Sequence, residues 1–405
     1  MEVKQRKNMK VAFCSPDNNA SSGAFLSMAN LARELQQMGV DTIVILPTRG
    51  NCAGPGDGIK VLQEYGLRYY LVNSHSWIIP VNYKSMFIRV LVKWKNRIDR
   101  IRNIYSVIQL YRIVKKEKIE IIHINTLYCY YALYVAKLTK IFSIWHIREF
   151  LEEDQEMKIN NKKRGYKLIN RSDRIIVISK SLYEKYSQFL YKEKMRIIYN
   201  GIDTKRFYDK NHIILTDQKV KFLYVGGISR GKGVIELINA CHILNMKGYK
   251  EKYNLLIAGR GTEEFQNYMV SLIKEYNLSN VKYLGFVKEI NELIGKTDVS
   301  IITSRAEAFG RTTVEAMLGG NLVIGSDTAG TKELLHEGEF GLMFKCANAE
   351  SLADQMEYVF YHKDECRKKA CKAREYMNIN MNSKLNAENI YKLYAEIIKD
   401  RRDLG

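Results

Sequence analysis

The stretch Ser304-Arg-Ala-Glu-Ala-Phe-Gly-Arg-Thr-Thr-Val-Glu-Ala-Met317 sets two carboxylates, Glu307 and Glu315, around a loop of small residues. The apolar run before it, Val299 to Ile302, reads as a buried strand. After it, Thr312 or Thr313 can cap a helix that holds Glu315 near its first turn. A strand, a small-residue loop and a helix start make an anion site, because unpaired backbone N–H groups point outward there. Carboxylates beside such a site suit a ligand with both a diphosphate and hydroxyl groups, as a nucleotide sugar has. Glu315 also reads more simply, as a helix-start glutamate complementing the dipole.

Outward from this stretch, strand-like and helix-like segments alternate. Strands are expected at Lys10–Ser15, Thr42–Leu46, Glu120–Asn125, Ile141–His146, Arg174–Ser179 and Arg196–Tyr199. A second series follows at Lys221–Val225, Tyr253–Ala258, Val281–Leu284, Val299–Ile302 and Leu322–Ile324. Such alternation predicts an α/β protein of right-handed βαβ units with parallel sheets covered on both faces. Asn200-Gly201 is a turn signal, and a polar stretch follows it. The expected division is therefore a Rossmann-like domain over 1–200, a hinge over 201–219, a second such domain over 220–385, and a terminal helix over 386–405 returning to the first domain. Ligands of these sheets bind at the carboxyl ends of strands, which makes the cleft between two such domains the expected site.

The 405 residues are 46% hydrophobic and 27% charged, a globular balance with length for two cores. The seven cysteines are scattered without CxxC or Cys/His metal spacing, which predicts reduced thiols in a cytoplasmic protein. Met1 to Lys10 lacks the apolar core of a secretory signal, and no run of 18 apolar residues would span a membrane. The net charge of +20 is uneven: residues 1–200 hold 34 Lys and Arg against 17 Asp and Glu. The first half is expected to meet something acidic.

Four further segments carry chemistry. Val225-Gly-Gly-Ile-Ser-Arg-Gly-Lys-Gly233 nearly spells a P-loop, but Gly233 stands where Ser or Thr would hold Mg²⁺. What survives is a loop whose Arg230 and Lys232 suit phosphate oxygens, or a glycine-rich turn with two solvated cations. Ser21-Ser-Gly23 precedes a helix over Ala24–Met38. Gly23 lets a phosphate or sugar approach the backbone, or Ser21 or Ser22 merely caps the helix. The missing GxGxxG argues against a nicotinamide enzyme. His123 and His146 stand near strand ends, and His146 opens His-Ile-Arg-Glu149. His146 suits a sugar hydroxyl or a proton-handling role. His123, Arg148 and Glu149 are acceptor-side candidates, with plain structural packing or mutual pairing as the other reading. Finally, within the basic stretch Lys84–Lys118, Phe87, Leu91, Trp94, Ile98, Ile101, Tyr105 and Ile108 form one helical stripe. This either packs on the domain's own sheet or suits an anionic membrane surface. No nucleic-acid-binding signature accompanies the charge, so no nucleic acid partner is expected.

These segments together resemble the retaining, sugar-nucleotide-dependent glycosyltransferases of family 4. The resemblance runs over about residues 9–400 and is strongest at Glu307-Ala-Phe-Gly-Arg-Thr-Thr-Val-Glu315 and Gly320-Asn-Leu-Val-Ile-Gly-Ser-Asp-Thr-Ala-Gly330-Thr-Lys-Glu333. Ser22-Gly23, the segment 146–149, Asn200-Gly-Ile-Asp203 and Lys232-Gly233 support it. It implies the GT-B architecture, two Rossmann-like domains with the donor held mainly by the second. It implies that Lys232 binds the donor diphosphate with Gly23 near the phosphates, that Glu307 lies by the transferred sugar, and that Glu315 accepts from ribose hydroxyls. Phe309, Gly310, Arg311 and Thr312 would meet phosphate or sugar. Gly285, Phe286 and Val287 would lie by the base, and His146 would approach the sugar. Gly227 stands where the family often has arginine; Arg230 is the expected substitute. Asn321 replaces a common proline. The implied activity is hexosyl transfer to a glycan or lipid-linked glycan of a bacterial surface polysaccharide, on the cytoplasmic side and peripheral to the membrane. The chain has no DxD, so no metal or other cofactor is expected, and Lys232, Arg230 and helix N-termini would stabilise the leaving diphosphate. Another GT-B-type enzyme, such as an epimerase or phosphorylase, and a non-catalytic membrane module are the rival readings.

Overall fold

The apolar runs become two parallel sheets in this computed structural model, which describes residues 9–48, 56–83 and 85–403. The basic leader 1–8, Cys52 and Lys84 lie outside the described residues. The first series of strands is β1 (Lys10–Cys14), β2 (Asp41–Pro47), β3 (Arg68–Val72), β4 (Ile78–Pro80), β5 (Ile121–Asn125), β6 (Phe142–Ile147), β7 (Met157–Ile159), β8 (Arg174–Val177) and β9 (Met195–Ile197). The second is β10 (Val220–Val225), β11 (Tyr253–Ala258), β12 (Val281–Gly285), β13 (Val299–Ile302), β14 (Leu322–Ser326) and β15 (Leu342–Phe344). One sheet runs β3-β2-β1-β5-β6-β8-β9 and the other β12-β11-β10-β13-β14-β15; β4 and β7 form a separate antiparallel pair. Every residue of β5 and β14 is buried, as continuous apolar strands between helical layers require.

Strands β3, β4, β7 and β15 were not expected. β3 is a half-exposed edge strand, and the other three have three residues each, too short for a periodic signal. Strand order reverses between β1 and β5 in one sheet and between β10 and β13 in the other. Each switch point opens a crevice at the carboxyl ends of its own sheet: the loops opening at Ser15 and Thr126 lie at the first, and those opening at Gly226 and Thr303 lie at the second.

The chain divides into residues 1–201 with 383–405, and residues 202–382. The expected hinge at 201–219 is not a free linker beyond Gly201. Ile214 and Leu215 join the second core, the Leu215 N–H donates to Asp298 Oδ1 at 2.6 Å, and Arg374 donates to the carbonyl of Asp209 at 2.8 Å. Its polar composition concealed these ties, which run mostly through backbone groups. The last helix starts at Ser383, not 386, and packs on the helix Gly23–Gln37. Ala387, Ile390, Tyr394 and Ile397 enter the first core at helical spacing. In the second core Phe222 meets Tyr253 edge-on at 5.7 Å; burying each such ring contributes roughly 1.5–3 kcal/mol.

The helix Met86–Glu117 is turned the other way from most surface helices. Its buried residues include Asn96, Asp99, Asn103 and Ser106, while Phe87, Trp94 and Ile101 are 72%, 60% and 68% exposed. Polar bonds fasten it: Asn103 accepts from the His75 N–H at 2.8 Å and returns a bond to the His75 carbonyl at 2.7 Å, and Asn160 donates to Asn96 at 2.8 Å. Of the two readings of the stripe, packing on the domain's own sheet is therefore set aside. The inward face satisfies its needs with amides, which leaves the apolar face outside.

Candidate functional site

In the second unit, four loops meet at the carboxyl edge of the sheet. After β10 the chain runs through Gly226 and Gly227 to a single 3₁₀ turn, Arg230–Lys232, that ends at Gly233 with φ +68°. A Cβ on Gly233 would stand 2.2 Å from the Thr303 carbonyl oxygen, so the serine or threonine of a P-loop is sterically barred there. The loop after β11 lies against it: Ile228 N–H donates to the Arg260 carbonyl at 2.7 Å, and a Cβ on Gly259 would reach 1.8 Å from the Gly226 carbonyl. Gly259 in turn donates to the carbonyl of Gly285, which ends β12 at φ +71°. Phe286 is exposed beside it under the Arg260 guanidinium, 4.2 Å from the ring centre, and Val287 is half-buried. Arg260 was missed, although Gly-Arg-Gly261 at a strand end was a readable signal.

The loop after β13 completes this edge. Thr303 Oγ1 donates to the Lys232 carbonyl at 2.6 Å, and the Lys232 ammonium reaches Glu307 Oε2 at 3.1 Å. Arg230 is exposed on the same loop. Gly330 fits under the Glu307 turn and donates to its carbonyl at 2.8 Å; a Cβ there would press on the carbonyls of Glu307 and Phe309. The next helix is Arg311–Leu318, and its cap is Gly310 at φ +94° with no side-chain bond. The expected cap by Thr312 or Thr313 is thus wrong: both lie inside the helix, because the glycine bends the chain one step earlier. Glu315 sits beyond the first turn, is 5% exposed, and pairs with Arg311 Nε at 2.6 Å. Arg311 Nη1 is buried without a hydrogen-bond partner among the described residues. Thr312 and Glu315 line a small cavity with Val225 and Ile302. This edge therefore gathers Lys232, Glu307, Gly310, Arg311, Thr312 and Glu315, with Phe309 buried behind them.

The first unit's edge is made of side chains. Gly23 opens its helix on an exposed turn where a Cβ would meet nothing, and Ser22 caps that helix by accepting from Phe25 N–H. Asn125 donates to the Ala24 carbonyl at 3.3 Å and accepts from Arg148 Nε. Arg148 also bonds Asn200 and approaches His146 Nδ1 at 3.2 Å. His146 Nδ1 lies 2.9 Å from His123 Nε2, and His123 Nδ1 lies 2.7 Å from the Tyr394 hydroxyl. A guanidinium only donates, so His146 Nδ1 accepts and its proton sits on Nε2. The chain of bonds then runs from Tyr394 O–H to His123 Nδ1, and from His123 Nε2–H to His146 Nδ1. His146 Nε2 is buried with no partner among the described residues. Burial first, and the Arg148 charge second, hold both imidazoles well below their usual pKa, so both are neutral. Burial also pulls Arg148 down to about 9 and pushes Glu149 up to about 7.

Three expectations change here. His123 is fully buried with both ring nitrogens engaged, so it orients His146 rather than meeting an acceptor. Arg148 and Glu149 do not pair side chain to side chain: Glu149 accepts from the backbone N–H groups of Leu127 and Arg148. They are internal braces, not acceptor-facing groups. Neutral His146 offers an N–H donor rather than a base. Asn125, Asn200 and Tyr394 were missed; Asn125 stood at a strand end, but nothing in the sequence pointed to Tyr394.

Two family models cover most of the chain. That of glycosyltransferase family 4 matches residues 21–206, and that of the group 1 glycosyl transferases matches residues 206–376. An uncharacterised 41.2 kDa protein from the cps region of Klebsiella pneumoniae is 25% identical over 234 residues, 55% of this chain and 61% of that one. A GDP-mannose:cellobiosyl-diphosphopolyprenol alpha-mannosyltransferase of Xanthomonas oryzae is 25% identical over 194 residues, 47% of this chain and 50% of that one. The matched stretches thus span only about half to three-fifths of these two relatives. Anabaena HepE, solved with UDP and glucose, superposes with a TM-score of 0.74 at 18% identity, covering 96% of this chain and all of HepE, a likeness of GT-B fold. With both family models matching and both sheets doubly wound, the chain belongs to glycosyltransferase family 4, the group 1 glycosyl transferases.

Proposed function

We propose that this chain transfers a hexosyl unit, with retention, from a nucleotide diphosphate sugar to an acceptor hydroxyl. The observation that carries this is the Lys232–Glu307 pair, 3.1 Å apart where the β10 and β13 loops meet at the switch point. In the reaction the bond from the anomeric carbon to the diphosphate breaks, a bond to the acceptor oxygen forms, and the hydroxyl proton passes to the departing diphosphate oxygen. Charge grows on the departing diphosphate. Lys232, Arg230 and the helix start at Gly310 are assigned its stabilisation. Arg311 Nη1, which has no hydrogen-bond partner among the described residues, is a further donor toward it. Glu307 lies by the sugar, and Glu315, held by Arg311, accepts from the ribose. Phe286 and its neighbours Gly285 and Val287 flank the base. Gly23 approaches the phosphates, and His146 Nε2–H donates to a hydroxyl of the sugar.

No metal is assigned a part, since the chain carries no DxD to hold one beside the diphosphate. The HepE complex with UDP and glucose supports a nucleotide-sugar donor. The Klebsiella cps-region relative supports a surface polysaccharide as product, and the diphosphopolyprenol substrate of the Xanthomonas relative supports a lipid-linked acceptor. The exposed basic helix Met86–Glu117 supports attachment to the cytoplasmic face of an anionic membrane. The test is a panel of nucleotide sugars scored by melting temperature and donor hydrolysis, with and without chelator. One donor should raise the melting point by mass action and be hydrolysed equally in both conditions. A panel that neither stabilises nor reacts rejects the transferase reading, and loss of turnover with chelator rejects metal independence.

A further inference from the structure

Behind the exposed stripe of the helix Met86–Glu117 lies a cavity of about 510 Å³, within the size range of ligand pockets. Its walls come from that helix, from Tyr131–Thr139, and from Lys162–Ile169, all in the first unit. It is predominantly apolar. Trp77 forms one wall, stacked on Tyr130 at 4.6 Å and pinned by its ring N–H to the Leu127 carbonyl at 2.6 Å. Ile101 and Ile108 of the stripe line the cavity, as does Ile104, and all three are exposed. Cavity and stripe are therefore one continuous apolar surface, whose inner part is roofed. Arg100 and Arg164 are exposed lining residues and put two guanidinium groups on it.

We propose that this cavity takes one acyl chain of an anionic phospholipid from the bilayer on which the helix lies, with Arg100 and Arg164 holding its phosphate. Three facts select this occupant. The walls offer an aliphatic chain aromatic and branched apolar contact and few polar groups. The cations suit a phosphodiester, and guanidinium pairs with phosphate oxygens in a two-pronged way. The helix also carries a strong excess of positive charge. Its two acidic residues are already occupied, since Asp99 is buried beside His75 and Glu117 is bonded to Arg68 and Tyr70. A second copy of the same face would therefore meet its own charge. A chain drawn into the cavity would anchor the unit more firmly than a helix lying on the surface, because every methylene it buries adds to the anchoring.

The inference rests on the membrane reading above, and the tryptophans separate the two. Trp94 lies on the exposed stripe outside the cavity, Trp77 lines the cavity, and Trp145 is buried, 6.2 Å from Trp77. In a Trp94→Phe variant of the full chain, vesicles of phosphatidylglycerol brominated along the acyl chains should quench the Trp77 share of the emission. Unbrominated vesicles should not. Val107→Phe in the same background narrows the cavity; it should still sediment with the vesicles but escape the quenching. Sedimentation without quenching in Trp94→Phe overturns the cavity proposal and leaves membrane attachment standing. Quenching that persists undiminished in the Val107→Phe background also overturns it, since the bromines then reach Trp77 from outside. Failure to sediment with phosphatidylglycerol at low salt overturns both readings.

Discussion

The two sheet edges are built from different materials. In the second unit the site is set by backbone: Gly233, Gly259, Gly261 and Gly330 each occupy a place where a Cβ would touch a neighbouring loop, and Gly310 turns into its helix at φ +94°. Few charged side chains are needed, and Lys232 and Glu307 are still about a quarter exposed. In the first unit the site is a buried network of side chains, His123, His146, Arg148, Asn125, Asn200 and Tyr394, drawn from both ends of the chain. The backbone-built edge leaves Lys232 and Glu307 partly hydrated until a ligand arrives. The side-chain-built edge fixes one donor, His146 Nε2–H, at the cost of burying ionisable groups.

The largest effect should come from the exposed pair. Lys232→Ala and Glu307→Ala should each slow transfer about 10²–10³-fold, the usual cost of removing one group that stabilises developing charge. Melting temperature should barely move, because a partly solvated ion pair is worth about 0–1 kcal/mol. Wild-type turnover by either purified variant would remove that residue from the site. Equal loss of activity and stability would show that the pair holds the loop instead.

The same contrast explains what could be read in advance. The second unit's site was legible because glycines and small residues between a strand and a helix leave a local trace, as at Gly226–Gly233 and Glu307–Gly310. Even there, the trace did not say that Gly310 rather than Thr312 ends the loop, since a positive φ is a property of tertiary fit. The first unit's site was legible only at His146 and its near neighbours. Tyr394 lies 271 residues from His123 and reads as one more apolar position of a terminal helix. The helix Met86–Glu117 kept its alternatives open for a related reason: periodicity finds a stripe but not the side it faces, and here Asn103 and Ser106 decided it by bonding inward.

Glycine packing gives the next effect. Gly233→Ser restores the residue of a P-loop but places a Cβ 2.2 Å from the Thr303 carbonyl at φ +68°. The left-handed backbone alone costs a serine about 1–2 kcal/mol, and the clash adds to it, so a loss of about 2 kcal/mol or more is expected in denaturant melts. Gly231→Ala, two residues earlier, meets nothing within 4 Å and has no positive φ. It should stay within about 0.5 kcal/mol of the parent. If both variants melt alike, the close approach of the β13 loop is not what makes Gly233 necessary.

The smallest effect probes the side-chain-built edge at its far end. Tyr394→Phe removes one hydroxyl, 2.7 Å from His123 Nδ1, and leaves the packing of the ring in place. The folded state should lose about 1 kcal/mol, the net worth of a hydrogen bond. The more telling change is in the proton. Without Tyr394 O–H, His123 can carry its hydrogen on Nδ1, which breaks its bond to His146, while Arg148 still donates to His146 Nδ1 and keeps that proton on Nε2. Transfer should slow by tenfold or less, about 1.4 kcal/mol at most. Nitrogen NMR of the imidazoles reads the cause directly. In the parent chain His146 should be a neutral Nε2–H tautomer and stay neutral as pH falls below 6.5, because burial and Arg148 depress both histidines. The unfolded chain binds protons there and the fold does not, so the stability these residues give above 6.5 is lost as pH falls toward their lowered values. In Tyr394→Phe the tautomers of His123 should mix, while His146 keeps its hydrogen on Nε2. A merely structural tyrosine would lower the melting point and leave the His123 tautomer alone, and a parent His146 protonated on Nδ1 would reverse the direction of the whole chain of bonds.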